Sequence, residues 1–118
     1  MNDRKFQDVI KKQFDALAPD IEEAFRELWK KPELPLLEYE SVEYARKWLE
    51  ENGFTVTPNI GGIPTSFLGT LDNGAGPVIG VIAEYDALPG LGNEATPYQA
   101  PTGQAGGHGC GHNLIAGS

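Results

Sequence analysis

Pro77-Val78-Ile79-Gly80-Val81-Ile82-Ala83-Glu84-Tyr85-Asp86 is the stretch on which the reading of this chain turns. Seven uncharged residues, four of them β-branched, end abruptly in two carboxylates. A continuous apolar run of that length predicts a strand buried on both faces. In open α/β sheets ligands bind beyond the C-terminal ends of such strands. Glu84 and Asp86 stand at that kind of end, and carboxylates two apart on a strand project to the same side. Two readings stand for them. They are a solvated pair, or a pair whose partial burial a nearby metal relieves, one acid orienting a ligating imidazole.

Upstream the period is helical. Phe6, Val9, Ile10, Phe14 and Leu17 recur at helical spacing, with Lys11, Lys12 and Asp15 on the other face. Pro19 is expected to interrupt that helix or to open a new first turn. Ile21, Ala24, Phe25, Leu28 and Trp29 form a second stripe, which Pro32 stops. A third helix is predicted from about Glu38 to Asn52, with Val42, Ala45, Trp48 and Leu49 inward and Gly53 as its C-terminal cap. Core packing is the expected use of all three stripes. Between this half and the apolar run, Phe54 to Pro58 and Ser66 to Leu71 read as short strands. Turns are expected at Gly61-Gly62-Pro64 and Asp72-Asn73-Gly74.

Downstream, Ala87 to Gly107 reads as a Gly-, Pro- and polar-rich loop, and Asn113 to Ala116 as the first turn of a helix. Helices first, strands after, with a buried strand feeding a loop and helix, predict an α/β sandwich. No internal repeat is visible, and 118 residues fit one domain or part of a larger one.

The formal charge is −8, from 17 acidic and 9 basic residues. That balance, without a basic stripe, excludes a nucleic-acid footprint and disfavours anionic membranes. The start of the chain is charged and lacks the apolar stretch of a secretory signal, and no run approaches membrane-spanning length. One cysteine cannot form an internal disulfide, which suits a reducing compartment. A cytoplasmic protein is expected.

The chemistry concentrates in His108-Gly109-Cys110-Gly111-His112. The chain's one cysteine and both of its histidines fall in these five residues, interleaved with glycines. Thiolate and imidazole together suit zinc, and in other settings cobalt, manganese or iron. Without a second cysteine this is not a redox pair, and three clustered donors cannot close a structural zinc site. Further ligands must come from elsewhere. Gly61-Gly62 and Gly90-Leu91-Gly92 lack the Lys and Ser/Thr of a phosphate cradle and read as turns.

Four stretches in order resemble a known family: Trp29-Lys30-Lys31-Pro32-Glu33-Leu34, Glu38-Tyr39-Glu40-Ser41, Ala83 through Gly90, and Gly107 through Asn113. The order resembles the amidohydrolase branch of the aminoacylase and carboxypeptidase metallopeptidases, with aminobenzoyl-glutamate hydrolases and N-acyl-amino-acid hydrolases nearest. The resemblance covers the chain from about Ala18 onward. It implies a zinc-exopeptidase-like α/β catalytic domain, of which residues 1–118 are the N-terminal part. A smaller inserted domain, absent from this chain, mediates dimerisation in such relatives, so full-length relatives are expected to be homodimers. It implies hydrolysis of the amide bond of small N-acyl or peptidyl amino acids with one or two divalent ions (zinc, manganese or cobalt). By position, Cys110 and His112 match metal ligands, and Asp86 matches an aspartate that supports the catalytic site. His108 and Glu84 are assigned supporting places; Glu84 stands where other branches have a ligating His, and Asn113 where many have Asp. Relatives follow the motif with an adjacent pair of glutamates, one the general base. No such pair follows His112 here, so this chain is expected to be incomplete and inactive alone. The competing reading is a non-catalytic, truncated metal-binding or interaction module. A free reactive thiol at Cys110 is a third.

Overall fold

The computed structural model describes residues 3–117. Its first element is one helix, α1 (Asp3–Trp29), which runs through Pro19 without a break. The expected interruption does not occur, although proline cannot donate to the carbonyl four residues back. Leu17, Ile21, Ala24 and Leu28 stay in phase across Pro19, but Leu17 is exposed and burial begins only after the proline, so packing of the stripe does not explain the unbroken helix. Only its C-terminal half reaches the core, through Ala24 and Leu28. Phe6, Val9, Ile10, Phe14 and Leu17 remain exposed, so the expectation that this first stripe packs inward is corrected.

Helix α2 (Tyr39–Glu51) lies within a residue of its predicted ends. Its first backbone N–H groups have no partner within the helix. The Glu33 carboxylate takes two of them, from Glu40 at 2.9 Å and Ser41 at 2.8 Å, and also the Ser41 hydroxyl at 2.7 Å. A negative group at a helix start is also favoured by the helix dipole. Val42 is buried beneath, and Gly53, at φ +87, lets the chain leave the helix. Strands β1 (Thr55–Pro58) and β2 (Phe67–Thr70) pair antiparallel from Thr55↔Thr70 to Pro58↔Phe67, close to the predicted spans. The hairpin packs on α2.

The run at 77–83 is the main correction. It forms no strand, and Val78, Ile79, Val81 and Ile82 are 99, 84, 89 and 95 % exposed. A strand buried on both faces needs neighbours along both edges and cover on both faces. Among the described residues none is supplied. The consequence is measurable. Val81→Lys should change the unfolding free energy by less than about 0.5 kcal/mol in a denaturant titration, as for other surface positions. A loss of roughly 2 kcal/mol or more would put Val81 in the core.

The segment read as an open loop is instead a folded ladder. Strands β3 (Leu88–Pro89) and β4 (Gly106–Gly107) pair antiparallel, and an Asn93↔Pro101 bridge continues the pairing outward. The ladder returns the chain to its starting point, and helix α3 (His112–Gly117) follows and packs against α1. The architecture is mixed α/β: three α-helices, a short 3-10 helix (Ile60–Gly62) and two small antiparallel sheets among the described residues. No helix of the described residues is long and apolar enough to cross a membrane.

Candidate metal centre

The 88–107 ladder decides what can meet. Because β3 and β4 pair, residues on either side of them become neighbours despite a separation of more than twenty positions. Ala87, wholly buried, donates its N–H to the Glu33 carbonyl at 2.7 Å and fixes the near end. At the far end, residues 108–111 make a tight turn, with Gly111 at φ +77, that delivers His112 to the start of α3.

His112 is then flanked by both acids. Its Nδ1 lies 2.9 Å from Asp86 Oδ1 and 3.1 Å from the Asp86 carbonyl. Its Nε2 lies 3.1 Å from Glu84 Oε1. Both partners of Nδ1 are acceptors, so Nδ1 carries the proton. A neutral imidazole has one N–H, so its Nε2 lone pair faces a carboxylate oxygen. Two acceptors face to face repel, and a cation, whether a proton or a metal ion, completes the arrangement. Ligand atoms of Glu84, Asp86 and His112 all lie within 4.8 Å of one another. Glu84 is exposed, Asp86 and His112 half-buried, so the group opens to solvent on one side.

The other predicted residues lie elsewhere. Cys110 is exposed and outside this group. His108 is buried and turns toward α1, donating from Nε2 to the Leu28 carbonyl at 3.0 Å, with the Trp29 ring 6.1 Å away. Its Nδ1 is buried with no hydrogen-bond partner among the described residues. Burial holds its protonation below the ordinary histidine range, against the pull of the Leu28 carbonyl. Asn113 is likewise structural, its amide donating to the Phe25 carbonyl at 3.2 Å. His108 and Asn113 thus tie the motif to α1, and His112 alone of the five-residue run joins the acids.

Tyr85 is a residue that the motif spacing passes over. Its side chain goes the opposite way from its two neighbours: the hydroxyl donates to the Thr65 carbonyl, and the ring stacks on Phe67 with centroids 6.4 Å apart. Burial, then the nearby charges of Glu38 and Glu33, push the phenol up to about 12. The alternation that sets Glu84 and Asp86 on one side is the available signal, since it sets Tyr85 on the other.

Among curated proteins, the chain is similar to one of the subunits of the p-aminobenzoyl-glutamate hydrolase of Escherichia coli (strain K12), with 44% identity over 91 residues. The match takes in 75% of this chain and 19% of that protein, so the chain spans about one fifth of the relative's length. No protein-family model matches. The aminobenzoyl-glutamate hydrolase resemblance drawn from the motifs is borne out over this stretch, for a partial chain.

Proposed function

We propose, with the likeness to a p-aminobenzoyl-glutamate hydrolase as premise, that this chain carries part of the metal site of an amidohydrolase. Its substrates would be small N-acyl or peptidyl amino acids, aminobenzoyl-glutamate-like conjugates or dipeptides. The observation that carries the reading is His112 between Asp86 and Glu84, with each ring nitrogen facing an oxygen of one acid.

The donor set suits a divalent ion. One imidazole nitrogen and carboxylate oxygens are ligands that zinc, manganese and cobalt accept. His112 would bind through Nε2, with Glu84 beside it. Asp86 would hold the Nδ1–H, which fixes the ring's orientation and raises its basicity toward a metal. In the proposal Cys110 adds a thiolate from the same turn. Such an ion, when bound, polarises a scissile carbonyl and makes water acidic near neutral pH. The carboxylate that accepts the water's proton is proposed to lie outside these 118 residues, as does an inserted dimerisation domain. The zinc-exopeptidase-like sandwich is the corresponding fold proposal, in which residues 1–118 form the first part of the catalytic domain. One exposed thiol accords with a reducing compartment, and we place the protein in the cytoplasm.

A second reading, a non-catalytic metal-binding or interaction module, draws on the exposed apolar residues from Val78 to Ile82. A segment exchange separates the two. The matching 91 residues of the Escherichia coli protein are replaced by those of this chain, and release of p-aminobenzoate is followed. The hydrolase reading expects activity in the chimera, loss of about a hundredfold or more with His112→Ala, and none from the 118-residue chain alone. A folded, metal-loaded chimera without activity would favour the module.

A further inference from the structure

The two carboxylates have a weakly tethered approach. Every residue from Leu71 to Glu84 is exposed, and residues 77–83 join no sheet. Coming from that side, Tyr85 is the first residue that grips the body of the protein. Its hydroxyl donates to the carbonyl of buried Thr65 and its ring lies on Phe67 in β2. On the other side Ala87 is buried and its N–H is held by Glu33. Glu84 and Asp86 therefore flank one anchored side chain, and Asp86 sits between two anchors. Ligands held in place before a cation arrives lose less conformational freedom when it binds.

We infer that Tyr85 is a positioning residue: its side chain, fastened to the β1–β2 hairpin, holds Glu84 and Asp86 facing His112 and so sets the affinity of that group for a divalent cation. The inference rests on the metal reading above. Its reach differs, because Tyr85 touches neither the ion nor a substrate and acts through its two neighbours.

The test uses the 118-residue chain with Zn²⁺ in competition against a chromophoric chelator, and with Co²⁺ followed by its visible absorption. Tyr85→Phe keeps the ring and removes the hydroxyl. It should weaken Zn²⁺ binding roughly fivefold, the scale of one lost hydrogen bond, and shift the Co²⁺ bands as the acids relax. Tyr44→Phe removes a phenol on α2 that lines a different part of the surface, and should leave both readouts as in the wild type. Phe67→Leu, which removes the stacked ring from the hairpin side, should act in the same direction as Tyr85→Phe and serves if that variant folds poorly. Wild-type affinity and wild-type Co²⁺ bands in Tyr85→Phe and Phe67→Leu would overturn the positioning role while leaving the metal reading intact. Failure of the wild type itself to take up either ion would overturn the metal reading, and the inference with it.

Discussion

Gly107→Ala should cost roughly 3 kcal/mol or more of folding stability and leave the 108–112 turn without a fixed place. Gly107 pairs with Leu88 at the base of the ladder and is buried. A methyl group there would stand 2.0 Å from the Leu91 carbonyl oxygen, 2.3 Å from its carbon and 2.6 Å from the Gly92 nitrogen. All three atoms are backbone, so no rotamer change relieves the clash. Either the ladder opens or the strand pair shifts. The next glycine back, Gly106, is nearly as confined, with the Pro32 carbonyl oxygen 2.3 Å from where a methyl group on Gly106 would stand. Denaturant unfolding and amide exchange at 88–107 report the outcome. Gly103→Ala, at an exposed position with open space around it, is the comparison; its cost is limited to the strain of a positive φ. Equal stability of Gly107→Ala and the wild type would mean that the ladder is not the element that brings the motif to Asp86.

The second large effect is on metal affinity. His112→Ala removes the nitrogen around which the group is built, while Asp86→Asn keeps the shape and loses a charge and the strong acceptor of the Nδ1–H. The expected order is graded. Asp86→Asn should weaken Zn²⁺ or Mn²⁺ binding by about 10- to 100-fold, the usual cost of removing a ligand's hydrogen-bond partner, and His112→Ala by more than that. His108→Gln should fall outside the series, since the His108 ring faces the Leu28 carbonyl rather than the acids. Its effect belongs in stability, because a buried side chain and its bond to the end of α1 are disturbed. Isothermal titration with each ion, alongside a melting curve for each variant, separates the two kinds of loss. A His108→Gln variant that lost metal as completely as His112→Ala would reverse the assignment of the two histidines.

How much of this can be read from the residues follows from the range of the interactions involved. Helix α2 and the β1–β2 hairpin are legible, because apolar period, the glycine at position 53 and the turn at 61–64 are local signals. Pro19 reads wrongly as a boundary because its local penalty is visible in the sequence, yet the helix runs through it even though the apolar residues before it stay exposed. The run at 77–83 has the composition of a buried strand. Composition records what Val78, Ile79, Val81 and Ile82 favour, and burial depends on neighbours that the described residues do not supply. At the site, two carboxylates at alternate positions and the clustered His and Cys point to metal chemistry. Their meeting is not legible, since it depends on Leu88 pairing with Gly107 across a segment that reads as loop. Closeness in the chain is also a poor guide to closeness in space: His108 turns to the Leu28 carbonyl and His112 to Asp86, while Cys110 between them is exposed. Tyr85 and Glu33 act through hydrogen bonds to residues 20 and 7–8 positions away, which no spacing rule picks out.

The central claim is that Nδ1 of His112 is held by Asp86 while Nε2 is left for a cation beside Glu84. Nitrogen-15 NMR of the imidazoles during a Zn²⁺ titration tests it directly, and with two histidines in the chain His108→Gln suffices for assignment. His112 should keep its Nδ1 proton throughout, its Nε2 resonance should move with saturation at one ion per group, and the His108 nitrogens should stay where they were. Zinc uptake with both His112 nitrogens unmoved, or with Nδ1 as the nitrogen that binds, would contradict it.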